Sequence, residues 1–131
     1  MNNSITVVDE TLNGERVRSF TLDSLTETMT VKELIRARIY QEVDDYNRSQ
    51  PGDFRGLVDP RGAERVLNGM RLRKPRTINW EDQFSKACEA FLTNGFFILI
   101  GDRQAESLDE TFEVKVDTEV SFVKLIPLVG G

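Results

Sequence analysis

The segment ITVVDETLNGERVRSFTL, residues 5 to 22, carries the strongest folding signal in this chain. Ile5, Val7 and Val8 supply β-branched bulk, while Thr6 and Asp9 add polar positions, so Ile5 to Leu12 is expected to be a strand. Asn13-Gly14 comes next, two residues that both tolerate the positive φ of a type I′ turn. Glu15 to Leu22 then carries Val17, Phe20 and Leu22 as the return strand. The chain is therefore expected to open with a β-hairpin.

Beyond the hairpin, Thr30-Val31-Lys32-Glu33 has the spacing of a capping box. Apolar residues then recur at Val31, Leu34, Ile35, Ile39, Val43 and Tyr46, a helical stripe that leaves Arg36, Arg38, Glu42 and Asp45 off it. The first helix is placed over residues 31 to 47. Residues 48 to 94 differ in character and are expected to form an insertion, a basic loop over 48–78 and then a helix over about 80–93. Ser49-Gln50-Pro51-Gly52-Asp53 is a turn cluster, and Gly56, Pro60, Gly62, Gly69 and Pro75 interrupt the stretch behind it. A short helix at Gly62 to Leu67 is expected inside it. Arg55 to Arg76 holds seven Lys/Arg against two Asp/Glu, in a chain whose net charge is -5. Asn79 is an N-cap with acids behind it, and Trp80, Phe84, Ala87, Cys88 and Phe91 make one face. Asn94-Gly95 stops that helix.

Phe96 to Ile100 is a continuous apolar run, the pattern of a central strand covered on both faces. Short strands are expected near Gln104-Ala105 and over Phe112 to Val116, and a last one over Glu119 to Pro127. The fold class is thus α+β.

Composition removes whole classes of chemistry. The chain has 131 residues and no histidine, so histidine bases, Ser-His-Asp triads and histidine metal sites are excluded. One cysteine permits neither an internal disulfide nor a thiolate zinc cluster. No metal, no cofactor and no enzymatic activity of its own are expected. The acidic balance argues against a nucleic-acid partner, and no apolar run reaches membrane length, so the expected compartment is the cytoplasm. Adjacent acids such as Asp44-Asp45 and Asp109-Glu110 point apart on a helix and lack a third ligand, so they are expected to be solvated. Cys88, on the Trp80–Phe91 face, is expected to pack as a small hydrophobe.

A hairpin, a helix, and then strands of which the last runs to the end of the sequence is the order of a β-grasp domain. The chain resembles the ubiquitin-like superfamily over Ile5 to Tyr46 and Phe96 to Gly131. Asp117-Thr118-Glu119-Val120-Ser121-Phe122 leading to Pro127-Leu128-Val129-Gly130-Gly131 resembles the tails of the prokaryotic sulfur carriers of molybdopterin and thiamine synthesis. Leu125 to Gly131 is also similar to the ubiquitin tail. Together with Leu34-Ile35-Arg36, Leu67-Asn68-Gly69 and Leu72-Arg73-Lys74-Pro75, the pattern most resembles the ubiquitin-like modifiers of bacterial ubiquitination-like operons. The resemblance implies a single ubiquitin-like domain over 1–131, a mixed sheet packed on one main helix, and a flexible tail over 127–131. It also implies an ATP-dependent adenylating enzyme, a conjugating enzyme and target proteins as partners.

On that resemblance Gly131 supplies the carboxylate to be activated and Gly130 the clearance, because residues without Cβ can thread a narrow channel. Pro127 directs the chain out of a ladder, and Leu128 and Val129 anchor it in an apolar groove of the partner. Arg71, Arg73, Lys74 and Arg76 form a basic stretch suited to an acidic protein partner or a second copy of the chain, with a solvated loop and a nucleic-acid contact as the other readings. Phe20, Val123 and Leu125 are candidates for an apolar docking patch. Three functions stay open: a conjugated modifier, a sulfur carrier bearing a terminal thiocarboxylate, and an interaction module with no tail chemistry.

Overall fold

The first strand, β1 (Asn3–Thr11), pairs antiparallel with β2 (Arg16–Ser24) in the expected hairpin. The turn between them is not the expected mirror type. Gly14 takes φ 81°, whereas Asn13 keeps a negative φ, and the Gly14 amide donates to the Thr11 carbonyl at 3.0 Å. A turn closed at Thr11–Gly14 with positive φ only at its last residue shifts the ladder, and the register slips between Asp9 and Glu10. This structure is a computed structural model, and it describes residues 3–24, 26–49, 54–60, 62–66, 69–72 and 77–125.

The chain divides into two compact units, one of residues 1–34 and 91–131, the other of residues 35–90. The first is built on a five-stranded mixed sheet in the order β2-β1-β9-β6-β7. In it, β6 is Phe96–Ile100, β7 is Arg103–Gln104 and β9 is Glu119–Lys124. β9 lies parallel to β1, with Val7 beside Val120 and Glu10 beside Val123, and antiparallel to β6, with Ile98 beside Phe122. One face of this sheet carries Ile5, Val7, Leu22, Val120, Phe122, Phe96 and Ile98, all buried. Phe96 stacks obliquely on Phe122 at 5.9 Å and on Phe91 at 6.0 Å. β9 stops at Lys124, three residues short of its expected end.

A second, two-stranded sheet joins β3 (Thr28–Thr30) to β8 (Thr111–Glu113). Sequence patterning misses β3, because Met29 is its one apolar residue. β8 is shorter than expected: Phe112 and Val114 are buried, but Val116 is 86% exposed in the turn beyond. The ladder delivers the chain to α1 (Val31–Ser49). Its capping box closes in both directions. The Glu33 amide donates to Thr30 Oγ1 and the Thr30 amide donates to Glu33 Oε1, each at 3.0 Å. The Val31 and Lys32 amides donate to the carbonyls of Glu110 and Leu108, so the first turn of α1 leaves few orphan donors.

The second unit takes α1 from Ile35 onward and α2 (Trp80–Leu92) as far as Ala90. Between the helices lies a hairpin of β4 (Ala63–Val66) and β5 (Gly69–Leu72), in place of the expected short helix. β5 opens at Gly69, whose φ is 148°, and a Cβ there would lie 2.5 Å from the Phe54 carbonyl oxygen. That close approach allows Phe54 and Met70 to exchange both backbone hydrogen bonds, at 2.6 and 2.8 Å. Phe54 in turn meets Tyr46 edge-on at 5.4 Å, and Leu57, Val58 and Ile78 are buried in the same unit.

Helical spacing leaves Arg38 and Glu42 off the buried stripe, and the structure corrects this. Arg38 is 0% exposed and Glu42 is 9% exposed. Arg38 Nε donates to Glu42 Oε1 at 2.6 Å, and the Leu57 amide donates to Glu42 Oε2 at 3.1 Å. The segment after α1 brings Leu57 onto this face, and the ion pair makes its burial tolerable. The α2 face is likewise rotated from expectation. Gln83, Ala87 and Phe91 are buried, whereas Trp80, Phe84 and Cys88 are half-buried. Gln83 can sit inside because its amide donates to the Val58 carbonyl at 3.0 Å. Asn79 caps α2 as expected, its Oδ1 accepting from the Asp82 amide at 3.0 Å. At the other end Asn94, not Gly95, takes the left-handed conformation.

Candidate functional site

The site begins on the face of the five-stranded sheet opposite the aromatic core. Strand alternation sets its members. β1 contributes Thr6, Val8 and Glu10, β9 contributes Ser121 and Val123, and β6 contributes Phe97 and Leu99. Phe97 stands directly opposite Val123, and Leu99 opposite Ser121. Of the four apolar residues Val8 is fully buried, whereas Phe97, Leu99 and Val123 are half-buried, so the expectation that β6 is covered on both faces holds for one face only. Leu125, just past the end of β9, is 37% exposed. Leu12 is 60% exposed in the turn after β1, at the end of the sheet where β9 also finishes.

Polar groups border this apolar strip on the β2 side. The Ser121 hydroxyl donates to Glu10 Oε1 at 3.3 Å, and Arg16 reaches Glu119 at 2.8 Å and Glu10 at 3.8 Å. The side chains here are positioned by two backbone ladders, and they offer an apolar centre with a charged rim, the make-up of a protein-docking surface.

The expected patch residues divide. Val123 and Leu125 belong to this end of the molecule. Phe20 does not share the face, because it pairs with Val7, which pairs with Val120, and these point to the opposite side. There the Arg18 guanidinium lies 4.8 Å over the Phe20 ring and 3.9 Å from Asp9.

The expected tail residues Pro127, Leu128, Val129, Gly130 and Gly131 lie outside the described residues, as do Arg73, Lys74 and Arg76 of the basic stretch. Arg71 is described: it is exposed on β5, opposite Glu64. A groove of about 650 Å³ lies near the start of β9, lined by Thr28, Ile100, Arg103, Phe112, Lys115 and Glu119 among others. Both of its cations are paired, Arg103 with Glu110 at 3.0 Å and Lys115 with Glu113 at 3.3 Å. Among the described residues no group of three or more acids and cysteines is placed to hold a metal, and no helix is long and apolar enough to cross a membrane.

Sequence patterning misses an aromatic cluster in the second unit. Tyr40, 52% exposed on α1, meets Trp80 edge-on at 5.5 Å, Trp80 lies 6.4 Å from Phe84, and the Arg36 guanidinium sits 5.3 Å over the Trp80 ring. The i,i+4 spacing of Arg36 with Tyr40, and of Trp80 with Phe84, is the signal that could find it. No family model, no curated protein and no solved structure matches the chain.

Proposed function

We propose that this chain is a ubiquitin-like protein modifier with a β-grasp core, activated at the carboxylate of Gly131 and joined to target proteins. The observation that carries the proposal is the strand order β2-β1-β9-β6-β7, with β1 and β9 parallel and adjacent and an N-terminal hairpin leading through β3 into α1. In a β-grasp arrangement the last central strand leads straight into the reactive tail, and here the sequence beyond β9 runs to Pro127-Leu128-Val129-Gly130-Gly131. The apolar strip of Phe97, Leu99 and Val123, with Leu125 beyond it, suits the docking of an activating or conjugating enzyme next to that tail.

The chemistry asks little of this chain. An adenylating enzyme supplies ATP. A Gly131 carboxylate oxygen attacks the α-phosphate, pyrophosphate leaves, and an acyl-adenylate forms. A thiolate of the enzyme system displaces AMP to give a thioester, and a target nucleophile then displaces the thiolate. Two glycines without Cβ leave the carbonyl open on both sides.

The test is incubation of the chain ending at Gly131 with its activating and conjugating enzymes, ATP and a lysate, read by peptide mass spectrometry. An adduct through Gly131 that disappears when Gly130 and Gly131 are deleted is expected. Absence of any adduct, or one that survives the deletion, rejects the modifier reading. The sulfur-carrier alternative rests on the same diglycine end. It predicts, after exposure to a sulfurtransferase and ATP, an intact-mass gain equal to replacing one oxygen by sulfur.

A further inference from the structure

We infer that the Arg36–Tyr40–Trp80–Phe84 cluster of the second unit is a docking site for an acidic peptide segment of a partner protein, independent of any chemistry at the tail. The residue types are those that dominate protein interfaces: tryptophan and tyrosine give large contact area at small entropic cost, and arginine adds a forked cation. Among the described residues Tyr40 is the one aromatic side chain that stands exposed, at 52%. Its ring meets that of Trp80 edge-on at 77°, so two aromatic surfaces adjoin at nearly a right angle.

Charge selects the occupant. Arg36 lies 5.3 Å over the Trp80 ring, and among the described residues no carboxylate pairs with it. A guanidinium over an indole ring keeps donors that a carboxylate can accept from. Residues 35–90 hold eleven Lys/Arg against nine Asp/Glu, a net of +2, whereas the remainder of the chain carries −7. Glu81 and Asp82 follow Trp80 at helical positions that do not face it, and on α1 Glu33, three residues before Arg36, accepts from the Thr30 amide while Asp44, four after Tyr40, pairs with Arg48 at 3.1 Å. An acidic segment with one apolar side chain satisfies both halves of the site, its carboxylates meeting Arg36 and its apolar group the exposed Tyr40 ring.

Trp80 is the only tryptophan in the chain, so intrinsic tryptophan fluorescence reports this site alone. The experiment titrates the full-length protein with a synthetic peptide of glutamates and aspartates flanking a single phenylalanine. The matched control replaces every acid by its amide. The expected result is a saturable change in Trp80 emission with the acidic peptide, weakened by added salt, and absent with the control. Arg36→Ala and Tyr40→Ala should each reduce affinity about tenfold or more. Both side chains are exposed, so circular dichroism should be unchanged, and Leu92→Ala, elsewhere on the surface, should bind like the parent. No emission change, equal binding of the amide control, or undiminished binding by Arg36→Ala overturns the inference. So does tighter binding of single-stranded RNA than of the acidic peptide. An emission change that tracks protein concentration without peptide assigns the cluster to a second copy of the chain and equally overturns it.

Discussion

Arg38 and Glu42 set the energetics of the second unit residue by residue. Both are buried, and each satisfies the other while Glu42 also accepts from the Leu57 amide. Removing one partner leaves the other charge inside without its match, which costs about 3–5 kcal/mol, whereas an apolar pair of similar volume is often tolerated. Arg38→Ala and Glu42→Ala are each expected to destabilise by that amount, and Arg38→Met with Glu42→Leu by less than either. Urea unfolding monitored by Trp80 emission, which reports the same unit, measures all three. Equal losses for the single and double variants would contradict the pairing. Sequence periodicity puts these two residues on a solvated face because helical spacing separates polar from apolar positions. It carries no information about a later loop, the one holding Leu57, that returns to cover the polar side.

Elements are more legible than residues where their ends carry local chemistry. The capping box of α1 and the Asn79 cap of α2 are both predicted from spacing and both form. Thr30→Ala is therefore expected to cost about 1 kcal/mol in thermal or urea unfolding, since it frees the Glu33 amide. The β4–β5 hairpin is not legible. Glycine and proline density marks a break in pattern but not its type, and four-residue strands are too short for alternation to declare itself. Gly69 shows what holds it: a positive φ together with a carbonyl oxygen 2.5 Å from where a Cβ would sit. Gly69→Ala should lose about 1–3 kcal/mol by strain and overpacking, read as a lower urea midpoint of the Trp80 signal. An unchanged midpoint would show that the Phe54–Met70 bridge moves freely.

Across the whole molecule, the sheet order sets which apolar residues become surface. β9 presents Val120 and Phe122 to the core and Val123, half-buried, to the opposite face. If that face docks the activating enzyme, Val123→Lys and Leu125→Arg should each lower kcat/KM for pyrophosphate release about tenfold. The melting temperature should change little, because both side chains already meet solvent. Unchanged kinetics in both variants would move the docking surface elsewhere.

Residue order along the chain is enough to specify the α+β class, the opening hairpin, both helices with their caps, and the apolar strand Phe96–Ile100. Each rests on interactions within a few residues: β-branched alternation, a hydroxyl meeting an amide three positions on, and a helical stripe. Three-dimensional packing alone selects the neighbours of β9, the face on which Phe20 and Val123 part company, the burial of Arg38 and Glu42, and the meeting of Tyr40 with Trp80. These depend on contacts between segments far apart in the chain, and local spacing cannot say which surfaces such contacts cover and which they leave open.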